Sequence, residues 1–151
     1  GKECRNVPAE DWLSVVAGFT TILDMTAEDI LRRNPRNLTQ SKSFDTFFSF
    51  GPLFLTPDEL PEDLGTLTVQ TVLNGEVKAE NQVANMTFSP AELVAYHSRI
   101  MTLLPGDIIS TGTPGAAVLS DGDTLECRIE GAPFLPLVNP VEDRRNDGMM
   151  E

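Results

Sequence analysis

The chain has 151 residues, 40% of them hydrophobic, and a formal net charge of −12 at pH 7. That length suits one domain, which could bury roughly 70% of its extended surface and so hold a real core. The acidic excess argues against nucleic acid as a partner, because phosphates need a basic face, and no apolar run approaches the ~20 residues of a membrane span.

Taken in order, Val7-Pro8 leads into Ala9–Ala17, where Glu10 and Asp11 in the first turn and Gly18 after the last predict a short helix. Trp12, Val15 and Val16 fall on one face of it and are expected to meet the core. Phe19–Leu23 is β-branched and apolar, a predicted buried strand that ends at Asp24. Thr26 with Asp29 three positions on resembles a capping box, opening a helical turn through Arg33. Residues 34–52 then read as a long connection, a length often reserved for function. It carries Lys42 and four phenylalanines, Phe44, Phe47, Phe48 and Phe50. Two readings stand, a buried apolar loop and a pocket wall with a lysine at its edge.

Leu53–Leu55 is a short predicted strand, and residues 56–65 form an acidic surface loop. Leu67–Leu73 alternates, Asn74-Gly75 is a strong hairpin signal, and Glu76–Val83 returns. Ser89-Pro-Ala-Glu92 caps a helix with Pro at its first position, and Leu93, Tyr96, Ile100 and Met101 form its apolar stripe. Two similar turns follow, Pro105-Gly-Asp107 and Asp121-Gly-Asp123, opening strands at Ile108–Thr111 and Thr124–Glu130. Phe134–Val138 is a last strand, and Glu142–Glu151 is a polar, fraying tail. About seven strands interspersed with about three short helices predict an α+β, β-rich fold, a mixed β-sheet roll or sandwich. Nothing resembles the Gly-rich dinucleotide fingerprint of a doubly wound fold.

Cys4 and Cys127 match neither a disulfide framework nor a zinc motif, and both are expected as free thiols in a reducing cytoplasm. His97, the only histidine, sits at the edge of a helical core stripe and reads as structural. Three residues could carry chemistry. Asp24 closes a buried strand, where a carboxylate either caps or pairs, or ligates a hard cation. Lys42 is a surface lysine or a pocket cation. Thr113 follows Gly112 where the strand Ile108–Thr111 breaks, at a mouth that leaves a hydroxyl and backbone N–H groups for a small anion. Together they make a recipe for a metal and an enolate or carboxylate.

Six blocks give this recipe a family. Gly18-Phe-Thr-Thr-Ile-Leu-Asp-Met-Thr-Ala-Glu-Asp29, Lys42-Ser-Phe-Asp45, Asn74-Gly-Glu76, Met86-Thr-Phe-Ser89, Leu103-Leu-Pro-Gly-Asp107 and Thr111-Gly-Thr-Pro114 occur in the order and spacing of the fumarylacetoacetate hydrolase superfamily, which the chain resembles to about Val141. The resemblance implies a β-rich roll of the C-terminal catalytic-domain type over residues 1–141, with 142–151 as a tail. It implies a metal-dependent enzyme acting on 2-oxo or β-diketo acids by C–C hydrolysis, decarboxylation, or isomerisation and hydration, in a cytoplasmic homodimer with no nucleic-acid or membrane partner. It implies Asp24 as a metal carboxylate for Mg²⁺ (Mn²⁺ and Ca²⁺ being alternatives), Lys42 as a catalytic and substrate-facing lysine, and Gly112 and Thr113 as binders of the substrate carboxylate.

The departures are as specific. The family's Glu-x-Glu metal pair lies just before the segment that resembles Gly1-Lys2, so the chain reads as lacking an N-terminal portion. The hydrolytic members' His–Glu acid/base pair also belongs to that upstream sequence. A carboxylate-binding arginine common four residues after the metal aspartate is Glu28 here, with Arg33 or Arg36 as possible substitutes. Gly115-Ala-Ala-Val118 is unlike the usual glycine-rich continuation. A non-catalytic or degenerate subunit that keeps the fold for assembly is therefore the alternative reading.

Overall fold

A computed structural model describes residues 1–143. Two antiparallel sheets carry the fold. The smaller pairs β1 (Phe19–Asp24) with β2 (Phe48–Leu55); the larger runs β4-β3-β5-β6, with β3 at Thr68–Leu73, β4 at Glu76–Gln82, β5 at Thr124–Glu130 and β6 at Leu137–Pro140. Both pair antiparallel throughout, a narrower arrangement than the mixed sheet expected. Three short helices punctuate them: α1 (Glu28–Arg33), α2 (Leu38–Lys42) and α3 (Pro90–Ile100). The architecture is α+β and β-rich. No helix among the described residues is long and apolar enough to cross a membrane.

The Asn74-Gly75 hairpin forms as its residues require. Asn74 has φ 53° and Gly75 φ 81°, the left-handed pair that matches strand twist across a two-residue loop. Asn74 also reaches across the sheet end: its amide donates to Asp123 Oδ1 at 2.8 Å, and its side-chain carbonyl accepts the Thr124 N–H at 2.8 Å. Hydrogen bonding from Asn74, then from the Ser120 N–H, holds the Asp123 carboxyl below its ordinary value. The two Gly-Asp turns are copies of one device. Asp107 accepts the Leu104 N–H and Asp123 accepts the Ser120 N–H, each three residues back.

The core lies where the sheets meet. Leu23 of β1 packs with Leu125 and Cys127 of β5 and Leu137 of β6, flanked by Met25, Val69, Leu73, Leu119 and Val141. Burying such leucines contributes roughly 1.5–3 kcal/mol each. Burial also pushes the Cys127 thiol up to about 11, so it stays protonated and inert. Both cysteines are free.

Several expected elements take other forms. The helix expected over Ala9–Ala17 is a 3-10 turn over Ala9–Ser14, its Trp12 half-buried and edge-on to Phe19 at 5.8 Å. The long connection over 34–52 instead contains α2 and the first half of β2, so the strand expected at Leu53–Leu55 starts five residues earlier. The register of β1 against β2 slips between Thr20 and Ile22, opposite Gly51-Pro52, where proline has no N–H for a ladder. The last strand is shifted to Leu137–Pro140.

The largest difference is at Ile108–Thr111, which forms no strand. Among the described residues no strand pairs with it, and Ile108 is half-exposed, so its β propensity finds no ladder. Helix α3 starts as expected, with Ser89 and Glu92 closing a reciprocal capping box. Its buried face, however, is Val94 and Ser98, while Tyr96, Ile100 and Met101 of the expected stripe stay exposed. The N-terminal segment selects that face: the Ser98 hydroxyl and carbonyl accept the Val7 and Asn6 N–H groups at 2.9 Å. Glu142 and Asp143 are described; the rest of the expected tail, 144–151, lies outside the described residues.

Candidate functional site

The sharpest polar constellation sits at the end of β1. Asp24 is the last residue of that strand and Lys42 the last of α2. The Lys42 Nζ donates to Asp24 Oδ2 at 2.7 Å and to Thr26 Oγ1 at 3.0 Å. Both members of the ion pair keep about a third of their side-chain surface in solvent, 33% for Lys42 and 34% for Asp24. The pair is thus neither a desolvated internal charge nor a fully exposed contact, and it faces the outside where a ligand can reach it.

Backbone bonds on either side fix this geometry. The Met25 N–H donates to the Phe47 carbonyl at 2.7 Å, and the Ala27 N–H donates to the Ser41 carbonyl at 2.8 Å. Ser41 is fully buried and its hydroxyl closes on the Leu38 carbonyl, anchoring α2. The segment 24–27 and the segment 41–47 are therefore clamped at two points, with the aspartate–lysine pair held by them. The neighbouring phenylalanines do not close into a buried loop. Phe44, Phe48 and Phe50 remain 43–59% exposed, and Phe44 tilts against Phe47 with ring centroids 5.1 Å apart.

Thr26 was expected to cap α1, and it does not. The helix begins after Ala27 with no side-chain cap. Its hydroxyl accepts from Lys42 instead. The sequence offered a capping reading because Thr-x-x-Asp spacing is ambiguous; only the return of α2 to β1 brings an ammonium within reach.

Thr113 lies in a different neighbourhood. It stands on the irregular segment after the Asp107 turn, where Gly112 adopts φ 113°, a conformation that strains any residue with a Cβ. The Thr113 hydroxyl turns back on the Gly115 carbonyl at 3.0 Å, and the Thr71 hydroxyl of β3 donates to that same carbonyl at 2.9 Å. Thr111, Gly112, Thr113 and Pro114 line a cleft of about 330 Å³ together with Asn81 and Asn85; Asp24 and Lys42 are not part of its lining. The two amides were not foreseen: residue type carries no signal for them until β4 and the turn after it bring them to the same cleft, where the Asn85 amide donates to Asn81 Oδ1 at 2.7 Å.

The other expected residues fall as follows. Glu28 lies on α1 in an ion pair with Arg32 at 2.6 Å, one helical turn on, and Arg33 is turned toward Asp29 at 3.7 Å. His97 packs edge-on against Tyr96, with ring centroids 5.4 Å apart, and lines a second cleft of about 770 Å³ between α3 and residues 6–9. Among the described residues, no three His, Cys, Asp or Glu side chains converge as a metal cage. Asp24 offers one hard carboxylate, suited as a donor to Mg²⁺ or a similar cation but not a site by itself.

With this geometry in hand, residues 1–142 match the fumarylacetoacetate (FAA) hydrolase C-terminal family, and the chain belongs to it. Among curated relatives, the rat mitochondrial oxaloacetate tautomerase Fahd2a is 36% identical over 138 residues, covering 86% of this chain and 44% of the relative. Among solved structures, the fumarylacetoacetate hydrolase of Exiguobacterium antarcticum superposes with a TM-score of 0.86 at 33% identity, over 95% of this chain and 53% of that one. A maleylpyruvate hydrolase of Sphingobium sp. SYK-6, in complex with manganese(II) and pyruvate, superposes with a TM-score of 0.81 at 33% identity, over 94% and 50%. The chain spans about half the length of the curated relatives it matches.

Proposed function

We propose that this chain is the substrate-facing part of an enzyme acting on 2-oxo or β-diketo acids. The observation that carries the reading is the Lys42–Asp24 pair, clamped and partly open, at the positions the family resemblance assigns to a catalytic lysine and a metal carboxylate. In support, the relatives and solved neighbours include an oxaloacetate tautomerase, an isomerase and hydrolases, one of the hydrolases solved with manganese and pyruvate.

The chemistry of such substrates fits these side chains. Breaking a bond next to the carbonyl, or removing a proton there, moves an electron pair toward the carbonyl oxygen and leaves an enolate. A fixed ammonium stabilises that developing charge. Lys42 supplies it; for Thr113, whose cleft in this chain does not include Lys42, the role of contact for the substrate carboxylate rests on the family resemblance. A Mg²⁺ ion held in part by Asp24, with Mn²⁺ or Ca²⁺ as alternatives, would polarise the carbonyl when bound. Asp24 by itself does not complete a metal site, so the reading needs further carboxylates from outside the described residues, in a cytoplasmic homodimer.

The test compares the 151-residue chain with the full-length protein in acylpyruvate cleavage, oxaloacetate decarboxylation and oxaloacetate tautomerisation, with and without Mg²⁺. We expect metal-dependent turnover in the full-length protein and little or none in the 151-residue chain. Full activity in the shorter chain would overturn this division of the site. A second reading, a non-catalytic subunit, draws on Glu28, whose carboxylate would repel an anionic substrate and is held by Arg32 instead. A full-length protein inert toward every one of these acids, with no Glu-x-Glu pair ahead of Gly1, would establish it.

A further inference from the structure

We propose that Thr26 is a positioning residue for Lys42, setting the direction in which its ammonium can donate. The inference rests on the functional reading of Lys42 for its catalytic consequence, but its geometric content stands on the hydrogen bonds alone. A lysine ammonium has three N–H donors and no acceptor. One is spent on Asp24 at 2.7 Å and one on the Thr26 hydroxyl at 3.0 Å. With a single partner, the ammonium could rotate about that contact and its other two protons would sweep a cone. Two simultaneous acceptors oppose that rotation and thereby set the direction of the third N–H. The free donor is then aimed before a substrate arrives, which is the condition for an electrostatic contact to act without reorganisation.

The surroundings agree. Thr26 performs no cap for α1, so its side chain has no competing role in the helix. Its backbone is fixed from both sides, by the Met25–Phe47 and Ala27–Ser41 bonds, which hold the Cα that carries the hydroxyl beside Lys42. An aspartate–lysine pair a third exposed to solvent holds its partners only weakly by charge alone. The hydroxyl is therefore the partner that makes the orientation unique.

The experiment uses the full-length protein with Thr26→Val, which keeps the shape and removes the acceptor, and Thr26→Ser, which keeps the acceptor. Thr26→Ala serves where valine hinders folding. Two quantities are read: kcat with a turned-over 2-oxo acid, and the mobility of the Lys42 side-chain ammonium from nitrogen-15 relaxation. We expect Thr26→Val to make the ammonium mobile and lower kcat by about tenfold, a loss of the kind small misplacements cause, and Thr26→Ser to restore both. An ammonium as ordered in Thr26→Val as in the wild type overturns the inference, whatever the activity. A mobile ammonium with unchanged kcat, in a protein where Lys42→Ala is impaired, overturns its catalytic consequence. An unimpaired Lys42→Ala protein instead overturns the functional reading of Lys42 and leaves the ammonium measurement to decide for Thr26.

Discussion

At the scale of residues, the roles proposed for Asp24 and Lys42 are distinct, oxygen for a cation and charge for an oxyanion, while in this structure the two side chains pair with each other at 2.7 Å. Substituting them one at a time tests that division. Asp24→Ala in the full-length protein should abolish Mg²⁺ binding measured by calorimetry. Lys42→Ala should leave the metal bound and lower turnover; unchanged kinetics there would take the lysine out of the mechanism. Identity at these positions was legible from sequence because Asp24 ends a β-branched run and Lys42 opens a distinctive Lys-Ser-Phe-Asp block. Their mutual contact was not legible, because 18 residues of intervening chain had to fold back first.

At the scale of elements, local signals succeeded where the element satisfies itself. The hairpin at Asn74-Gly75 and the capping box at Ser89-Glu92 are both closed by residues within four positions. The box has a measurable pH signature. Hydrogen bonds to Glu92 from the Ser89 backbone, then from its hydroxyl, hold the Glu92 carboxyl below its ordinary value. A lowered folded-state pKa contributes stability that is full above the ordinary carboxylate range and is lost as pH falls through the lowered value. Wild type should thus exceed Glu92→Gln in unfolding midpoint at neutral pH, with the gap closing on acidification. A gap that persists in acid would show that the ionised carboxylate contributes nothing to the cap. Signals failed where an element needs a neighbour. Ile108–Thr111 has the composition of a strand and no ladder to join, and the α3 stripe has an apolar face that the N-terminal segment does not cover.

At the scale of the molecule, the two sheets share a buried apolar cluster. Leu125, 4% exposed, sits in the cluster shared with Leu23 and Leu137. Leu125→Ala should destabilise the protein by about 2–5 kcal/mol, through lost burial and the cavity left behind. Denaturant unfolding of the full-length protein measures it, and a cost under about 1 kcal/mol would mean the sheets are held by other contacts. A polar link between the sheets, the part-buried hydrogen bond from the Asn139 amide to the Ser49 hydroxyl, is a single bond with a net contribution of about 0.5–1.5 kcal/mol, too little to replace that core.

The sequence by itself determined the β-rich class, the order of most elements, and the family, because composition, period-two alternation, turn chemistry and short spaced motifs are all local properties of a chain. Only the tertiary structure decided which residues meet. It placed Lys42 on Asp24 and Thr26, brought Asn81 and Asn85 to the cleft that the Thr113 segment lines, and assigned Val94 and Ser98 as the inner face of α3. The reason is physical: a hydrogen bond or a packed contact depends on distance in space, and chain spacing sets that distance only within a turn or a hairpin.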